Sequence, residues 1–443
     1  MTLLHPDLEK EVLKKINPTK EEYEKRDKIF NKVKSVVERR LREASLEGEV
    51  TLQGSARKGT WLRGSLELDV FVLFPPQDKK WIREAAFPVL LSSAKELGEP
   101  EVRYAEHPYV RVEVEGVPVE LVPAFKVKSA SKAITAVDRT PFHTRWFLEQ
   151  VKKLGEGIVE EVRLLKAFFK GIKVYGAEIK VRGFSGFMTE ILVTYYGGFA
   201  EVLKAATAWR PPVVLETSLS KKEALKRFKS PMIAPDPTDP RRNAAAAVSL
   251  DSLATFVLAA TVYQSKPSLS FYFEPAPPRS VPALPTYVVE IPLKGGFPPE
   301  TVWGELQRIT DSVLKRLERA GFVVTRRALW SDERSVAKVA LEFLQDVLPP
   351  MEVKSGPPVW LKNNVERFLK KHENAASVWV DGGRLYAVEE RKVRTAPEGI
   401  SEALKDLKAE SLDIEKYRIT KVVDSPQEGW LAWFVRGRPS WWP

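Results

Sequence analysis

The feature that most constrains the fold is an apolar run of five residues, Val70–Phe74, which Pro75 and Pro76 bring to an end. A short apolar run between turn-forming residues is typical of a buried strand. Glu67 and Asp69 directly precede it, and side chains two positions apart on a strand point to the same face. The sequence therefore predicts two carboxylates side by side, where they repel one another, lose solvation and require a compensating cation.

A loop rich in glycine and serine precedes the two carboxylates. It runs through Gly54-Ser55-Ala56-Arg57-Lys58-Gly59-Thr60 and continues to Gly64-Ser65. Such a loop offers backbone amides and a hydroxyl, the groups with which loops hold phosphate oxygens. Glu67 and Asp69 alone would also suit an exposed strand end, whereas the loop, the acidic pair and the apolar strand together favour a metal site.

A third carboxylate is expected from a hairpin further along the chain. Two alternating segments joined by a Glu-Gly turn predict a β-hairpin over residues 109–122. In its second strand the apolar residues share one face, so Glu120 points to the other. If this strand lies beside that of Glu67 and Asp69, the three carboxylates meet and can hold two Mg²⁺ ions about 3.5–4 Å apart. Otherwise, Glu120 is one more surface glutamate.

Composition limits the metal and the partners. The 443 residues include no cysteine and four histidines, so a metal has to be held mainly by carboxylates, which favours Mg²⁺. The formal charge of +11 indicates a polyanionic partner, although a surface rich in Lys, Arg and Glu also suits a thermophile. No stretch approaches the roughly 18 apolar residues of a membrane helix, and residues 1–15 have no signal core. We therefore predict no membrane association and a cytoplasmic location.

The first two thirds of the chain divide into an α/β region and a helical region. Thr19 and Glu22 form a capping box for a helix over residues 18–44, and the strands described above follow it. Residues from about 147 onward are again helical in pattern. Asp239, followed by Pro240, predicts the start of a helix that continues toward Val262.

The last third predicts a different fold. A strand, a helix and two strands follow one another over residues 287–343, in the order of half a ferredoxin or RRM-like domain. Ser355–Pro358 indicates an internal boundary before a small separate unit. The fold class is therefore predicted to be α+β with several domains.

A set of motifs resembles one family in particular. The loop and Glu-x-Asp motif resembles the DNA polymerase β-like nucleotidyltransferase superfamily, and the form here is similar to the class I, archaeal-type CCA-adding enzymes. Further matching motifs are Val122-Pro123-Ala124, Val137-Asp138-Arg139-Thr140-Pro141-Phe142-His143, Lys173-Val174-Tyr175-Gly176-Ala177-Glu178, Arg182-Gly183-Phe184-Ser185-Gly186-Phe187, and Asp236 to Asn243. Together they cover roughly residues 20–275.

The resemblance implies a domain order, a reaction and a cofactor. Residues 1–146 would be a nucleotidyltransferase head, 147–262 a helical neck that binds nucleotide and tRNA, and 263–443 an RRM-like body with an inserted tail at about 355–407. The enzyme would add C-C-A to the 3′ end of tRNA from CTP and ATP without a template, using Mg²⁺. In-line attack of the RNA 3′-hydroxyl on the nucleotide α-phosphate would release pyrophosphate.

The resemblance also assigns site residues. Glu67 and Asp69 would bind both metal ions, and Glu120 would help to bind the one that activates the 3′-hydroxyl, although the family generally has Asp there. Glu113 and Glu115 are the substitutes if Glu120 is misplaced.

Seven further residues are expected at the nucleotide. The loop with Gly54, Ser55 and Lys58 would contact the triphosphate, as would His143, Lys166 and Tyr175, and Arg242 would help to read the base. A solvated basic helix face is the alternative for Lys166, a packed or surface histidine for His143, and a surface arginine for Arg242.

Two other functions fit parts of the sequence. A poly(A) polymerase or another transferase could share the same head, and adding CTP and ATP separately to tRNA would distinguish it. A non-catalytic RNA-binding protein with a degenerate head would fit the Glu at position 120, and it would incorporate no nucleotide.

Overall fold

The computed structural model describes residues 4–104, 107–276, 281–422 and 429–442. The chain forms two compact units. The first comprises the residues up to Pro275 together with the C-terminal residues from Pro439, and the second runs from Ala276 to Arg438. The predicted division into head, neck, body and tail is finer than this and stays a prediction.

The first unit begins with a mixed sheet packed against helices. Its elements are α1 (Pro6–Ile16), α2 (Lys20–Glu43), β1 (Glu49–Gln53), α3 (Gly54–Lys58), β2 (Leu68–Phe74), α4 (Lys79–Trp81), α5 (Phe87–Leu97), β3 (Pro100–Tyr104), β4 (Pro108–Val114) and β5 (Val117–Phe125). The strand order is β1-β2-β5-β4-β3, and β2 runs parallel to β5 while the other pairs are antiparallel. The predicted buried strand and hairpin are confirmed.

One face of this sheet is buried under α2 and α5. The apolar stripe of α2 packs with alternate residues of β2, β4 and β5 in a single core. The predicted capping box is confirmed, because the Thr19 hydroxyl accepts from the amide of Glu22 and the Glu22 carboxylate accepts from that of Thr19. The other face of β2 and β5 carries the acidic residues.

Helices complete the first unit. They are α6 (Thr140–Leu154), α7 (Gly157–Gly171), α8 (Gly186–Tyr196), α9 (Phe199–Ala206), α10 (Lys221–Arg227) and α11 (Leu250–Ser265), with the short parallel strands β6 (Val213–Val214) and β7 (Met232–Ile233). Phe168 on α7 is fully buried and contacts a ring of aromatic side chains. Those rings belong to Phe199, Phe256, Tyr263, Phe271 and Tyr272.

The helix predicted to begin at Asp239 is wrong over its first turns. Residues 239–248 form turns, and α11 begins only at Leu250, where Ser249 is the N-cap. Asp239 instead accepts hydrogen bonds from Arg241 and forms an ion pair (N···O 3.4 Å) with Arg139, the residue just before α6. An aspartate before a proline starts turns as well as helices, and here the contact with Arg139 favours the turn.

The second unit has the predicted RRM-like order. Its elements are β8 (Thr286–Pro292), α12 (Pro299–Ala320), β9 (Val324–Ser331), β10 (Val336–Phe343), β11 (Met351–Pro358), α13 (Lys362–Lys371), β12 (Ser377–Asp381), β13 (Arg384–Glu390), α14 (Ala396–Leu404), β14 (Arg418–Lys421) and α15 (Gly429–Arg436). Its four-stranded sheet has the order β14-β8-β10-β9 and is antiparallel throughout, and α12 and α14 contribute to its core.

A three-stranded sheet is inserted between β10 and α14. Its order is β11-β13-β12, and α13 lies between β11 and β12 in the chain. The boundary predicted at Ser355–Pro358 is misplaced, because these residues lie within β11 and pair with β13. The two ends of the insertion lie together, since the amide of Leu348 donates to the carbonyl of Arg394 at 2.8 Å.

Among the described residues, we find no helix with the length and apolar character that crossing a membrane requires.

Candidate active site

Three carboxylates lie close together on the five-stranded sheet, on the face opposite α2 and α5. Asp69 lies directly opposite Glu120 in the parallel pair of β2 and β5. Glu67 lies two residues before Asp69, and its charge acts on both of the others. The strand adjacency on which the prediction of Glu120 depended is therefore present.

The substitutes proposed for Glu120 lie elsewhere. Glu115 is at the hairpin turn, where it pairs with Lys28 (2.9 Å) and Lys32 (3.3 Å) of α2. Glu113 is exposed and lies opposite Pro118, two residues nearer the hairpin turn than the pair of Arg111 and Glu120. Glu120 alone of the three faces Asp69 across the sheet.

The electrostatics of the cluster disfavour three ionised carboxylates. Burial raises the pKa of Asp69 to about 7, and the charges of Glu120 and Glu67 add to this effect. Burial also raises the pKa of Glu120, with Glu67 as the next cause. Glu67 Oε1 is buried without a hydrogen-bond partner. All three observations indicate an environment in which a positive charge would be stabilised.

Arg111 supplies part of that charge. It stands opposite Glu120 in the antiparallel pair of β4 and β5, and its Nη1 lies 3.2 Å from Glu67 Oε1 and 3.8 Å from Glu120 Oε1. The contact with Glu67 is an ion pair without hydrogen-bond geometry. No motif pointed to Arg111, because its role appears only when β4 and β5 are paired.

The carboxylate oxygens of Glu67, Asp69 and Glu120 are suitable ligands for divalent ions, although their side chains are not arranged to coordinate one. Carboxylate oxygens are the ligands that hard cations prefer, and a buried oxygen of Glu67 has no hydrogen bond. Within the described part of the chain, however, no three His, Cys, Asp or Glu side chains are arranged to hold a metal ion as they stand. One nitrogen of the Arg111 guanidinium contacts both Glu67 and Glu120 in this arrangement.

A cavity of about 240 Å³ adjoins Asp69 and collects most of the predicted nucleotide-binding residues. Its polar and charged lining includes Gly54, Ser55, Lys58, Thr60, Asp69, Lys166, Tyr175, Thr189 and Glu190. The loop, α7 and the start of α8 therefore enclose one space next to the carboxylates. Five of the seven residues predicted at the nucleotide lie here.

Gly54 is required where the loop passes Asp69. The predicted loop begins as the single helical turn α3, and Gly54 has a φ of +61°, in the left-handed region. A Cβ at this position would lie 1.8 Å from Asp69 Oδ2. Only glycine allows the backbone to approach the carboxylate this closely.

Lys58 has a partner that the sequence did not reveal. Its Nζ donates to a carboxylate oxygen of Glu190 at 2.8 Å, and both side chains are buried. Glu190 lies on α8, far along the chain, and no local pattern marks it. Lys58 thus enters the cavity as half of an ion pair.

Lys166 is buried rather than part of a solvated helix face. Its Nζ lies 5.4 Å from the centre of the Tyr175 ring and 3.4 Å from the carbonyl oxygen of Thr60. Burial lowers the pKa of Lys166 to about 8, with the charge of Lys170 as the next cause. Burial raises the pKa of the Tyr175 hydroxyl, which therefore stays protonated.

Arg163, which lies three residues before Lys166 on α7, holds the loop in place. It is buried and donates from Nε to the carbonyl oxygen of Gly59 at 2.9 Å. It also donates to the Tyr23 hydroxyl at 2.7 Å and to Asn17 Oδ1 at 3.0 Å. The solvated-face interpretation is therefore wrong for both Arg163 and Lys166.

His143 and Arg242 do not line the cavity. The His143 ring stacks on Phe187, a cavity-lining residue, with 3.8 Å between centroids, and its Nε2 lies 2.8 Å from Asp236 Oδ2. Arg242 is exposed in the turn that follows Asp239, not in a helix. Its predicted helical context is wrong.

Three family models match successive parts of the chain. Residues 32–143 match a nucleotidyltransferase domain, residues 160–273 the second domain of tRNA nucleotidyltransferases, and residues 293–417 the C-terminal domain of CCA-adding enzymes.

Proteins of similar sequence span nearly the same length. The CCA-adding enzyme of Sulfurisphaera tokodaii is 39% identical over 98% of this chain and 99% of its own. That of Pyrobaculum aerophilum is 40% identical over 86% and 89%. A structure of the RNA terminal uridylyl transferase Cid1 aligns with a TM-score of 0.48 at 14% identity, over 60% of this chain and 97% of that one. This last similarity is too low to add to the other matches.

Proposed function

The chain belongs to the family of archaeal-type CCA-adding enzymes, and we propose that Glu67, Asp69 and Glu120 hold the metal ions with which it extends tRNA. The resemblance predicted from the motifs is confirmed. The enzyme is a tRNA nucleotidyltransferase that adds C-C-A without a template. Divalent-metal use is typical of such enzymes, and we propose Mg²⁺ as the ion.

The observation that carries this assignment is the pairing of Asp69 with Glu120 across parallel strands, with Glu67 beside them. Glu67, Asp69 and Glu120 would hold divalent ions, which would supply Lewis-acid chemistry for activating the RNA 3′-hydroxyl and stabilising the departing pyrophosphate. The raised pKa of Asp69, about 7, supports the proposal, because burial and the charges of Glu120 and Glu67 outweigh the nearby cations and favour a further positive charge. A metal ion bound to Glu67 and Glu120 would replace the contacts that Arg111 makes with them.

The cavity beside Asp69 is proposed to receive the triphosphate of CTP or ATP. Lys166 would hold it as the ammonium, and the Tyr175 hydroxyl would donate as a neutral group. Ser55 would contribute its hydroxyl, and Gly54 lets the backbone approach Asp69. These residues bind and orient the nucleotide, so that the α-phosphate lies in line with the RNA hydroxyl.

The remaining predicted residues have secondary places in this proposal. Lys58 would act as an ion pair with Glu190, and together they form one wall of the cavity. His143 would support the cavity through Phe187. Arg242 is exposed on a turn outside the cavity, so it would contact the base or the RNA from there.

We also propose the domain assignment made from the sequence. Residues 1–146 would be the head and 147–262 the neck, and the residues from 263 would form the body and its inserted tail. The matched models for a nucleotidyltransferase domain, a second domain and a C-terminal domain support this order. The neck would bind CTP or ATP together with tRNA, and the body with its tail would bind the acceptor stem of tRNA.

Isosteric replacement of the carboxylates tests the metal assignment. We expect Asp69→Asn and Glu67→Gln each to lower the rate of labelled CTP and ATP addition to tRNA by at least about a thousandfold. The matched control is Glu113→Gln, the same kind of substitution at an exposed position of β4. This variant should keep the full rate. Binding of Mn²⁺, followed by electron paramagnetic resonance, should weaken in the first two variants only. Full activity in an Asp69→Asn, Glu67→Gln double variant would exclude the proposed site.

A further inference from the structure

A larger groove, which the proposed reaction does not use, lies at the β1 edge of the head sheet. We call it the edge groove, and its volume is about 1080 Å³. All five residues of β1 line it, together with one side of α2 and one side of α6. Side chains of a strand alternate between faces, so a lining by five consecutive residues means that the backbone edge itself faces the groove.

That backbone edge is open. Among the described residues, β1 pairs only with β2 in its sheet. The N–H and C=O groups of an unpaired edge are a template on which another extended chain can add. Helices α2 and α6 border the groove on either side, as they would border an added strand.

Two buried polar atoms on its walls have no partner. Gln53 Oε1 on β1 and Thr144 Oγ1 on α6 make no hydrogen bond, although their residues are only 7% and 5% exposed. Buried polar groups are nearly always satisfied in folded proteins. These two atoms are themselves almost inaccessible from the groove, so its backbone edge and its charge, rather than these atoms, indicate the kind of ligand.

The charge of the groove is positive. Arg57, Lys128, Arg145 and Lys152 line it, and none has an ion-pair partner within the described residues. Its other cations are already matched, for example Lys126 by Glu49 at 2.8 Å. Of the acidic residues in the lining, Glu149 is the one that no cation or amide holds, counted over the same residues. The walls therefore complement an anionic ligand.

We propose that the edge groove binds an extended acidic peptide of a partner protein, which adds to β1 as an outer strand. The backbone edge would hold the main chain, and the four free cations would pair with its carboxylates. The lining of the groove does not include Glu67, Asp69 or Glu120, and the proposed peptide binding does not depend on the transfer reaction.

The observations favour a peptide over the two other anionic occupants. A free nucleotide would use the cations of this groove, whose volume is about 1080 Å³, but would leave the main-chain edge of β1 unpaired. RNA would use the cations but would leave the main-chain edge of β1 unpaired. A peptide strand uses both, together with half-buried apolar contacts from Phe30 and Leu148.

Peptide display on the full-length protein tests the proposal. Random peptides are selected on the wild type and counter-selected on an Arg145→Glu, Lys152→Glu variant, whose two changes lie at exposed positions of α6. The matched control is Lys25→Glu, Lys153→Glu, two exposed lysines outside the groove lining. Circular dichroism and C-C-A addition verify that each variant is folded.

We expect the enriched peptides to be acidic and extended. Their Kd, measured by fluorescence polarisation, should rise at least about tenfold in the groove variant and stay unchanged in the control. Methylation of alternate backbone nitrogens in the peptide should abolish binding, because it removes the donors that pair with a strand edge. The proposal fails if no acidic peptide is enriched, if binding is equal in the groove variant, or if N-methylation has no effect. If the groove variant instead loses only tRNA affinity, the groove binds RNA and the peptide proposal is equally refuted.

Discussion

The lowered pKa of Lys166 predicts a pH dependence of nucleotide binding. The change from 10.5 in water to about 8 in the folded chain means that burial disfavours the ammonium by about 3 kcal/mol. Below pH 8 Lys166 is charged, and as the pH rises through 8 the free enzyme loses the cation that is proposed to hold the triphosphate. The Kd for CTP, measured without RNA and at saturating metal, should rise about tenfold between pH 7 and pH 9.

Two substitutions isolate this effect. Lys166→Arg keeps its charge at every accessible pH, so its Kd for CTP should stay nearly flat over the same range. Lys166→Met should bind weakly at every pH. A wild-type curve that runs parallel to that of Lys166→Arg would refute our assignment of the titration to this lysine.

The same group affects stability with a defined sign. The unfolded chain holds the Lys166 proton more tightly than the folded chain, so the cost of about 3 kcal/mol is fully present below pH 8. It disappears as the pH rises from 8 to 10.5. The difference in free energy of unfolding between the wild type and Lys166→Met, from urea titrations, should therefore shift in favour of the wild type across this window.

Three further predictions concern the loop and the acidic cluster. Gly54→Ala would push a Cβ against Asp69, so turnover should fall about a hundredfold while Tm changes little, and normal turnover would contradict the close approach. Arg163→Met should lower the free energy of unfolding by about 2–3 kcal/mol in urea titrations, because four partly buried hydrogen bonds lose their donor. Arg111→Gln should tighten Mn²⁺ binding to the nucleotide-free enzyme by roughly tenfold, and weaker binding would show that Arg111 supports the metal site rather than competing for it.

Strand periodicity predicted the acidic cluster well, because its rule is strict. Side chains alternate along every strand, so two correct strand assignments predicted which way Glu67, Asp69 and Glu120 face. The remaining question was which strands are neighbours, and the family resemblance supplied that expectation. The capping box of α2 was equally clear, since it depends on residues three apart.

Contacts between distant residues were beyond such rules. Glu190 pairs with Lys58 across 132 positions, and nothing near either residue indicates the other. The basic spacing on α7 looked like a solvated face because sequence gives charge but not burial, and Arg163 proved to be buried against the loop. At Asp239 the local signal suited both a turn and a helix cap, and a tertiary contact decided between them.

The insertion between β10 and α14 has a consequence for how this family can diversify. Its two ends are joined by a backbone hydrogen bond from Leu348 to Arg394, and its three strands form a sheet separate from the RRM-like sheet. The entropy of closing a loop grows only slowly with its length. Evolution can therefore lengthen, trim or exchange this appendage at small thermodynamic cost, and a short linker in its place should leave a body that still folds.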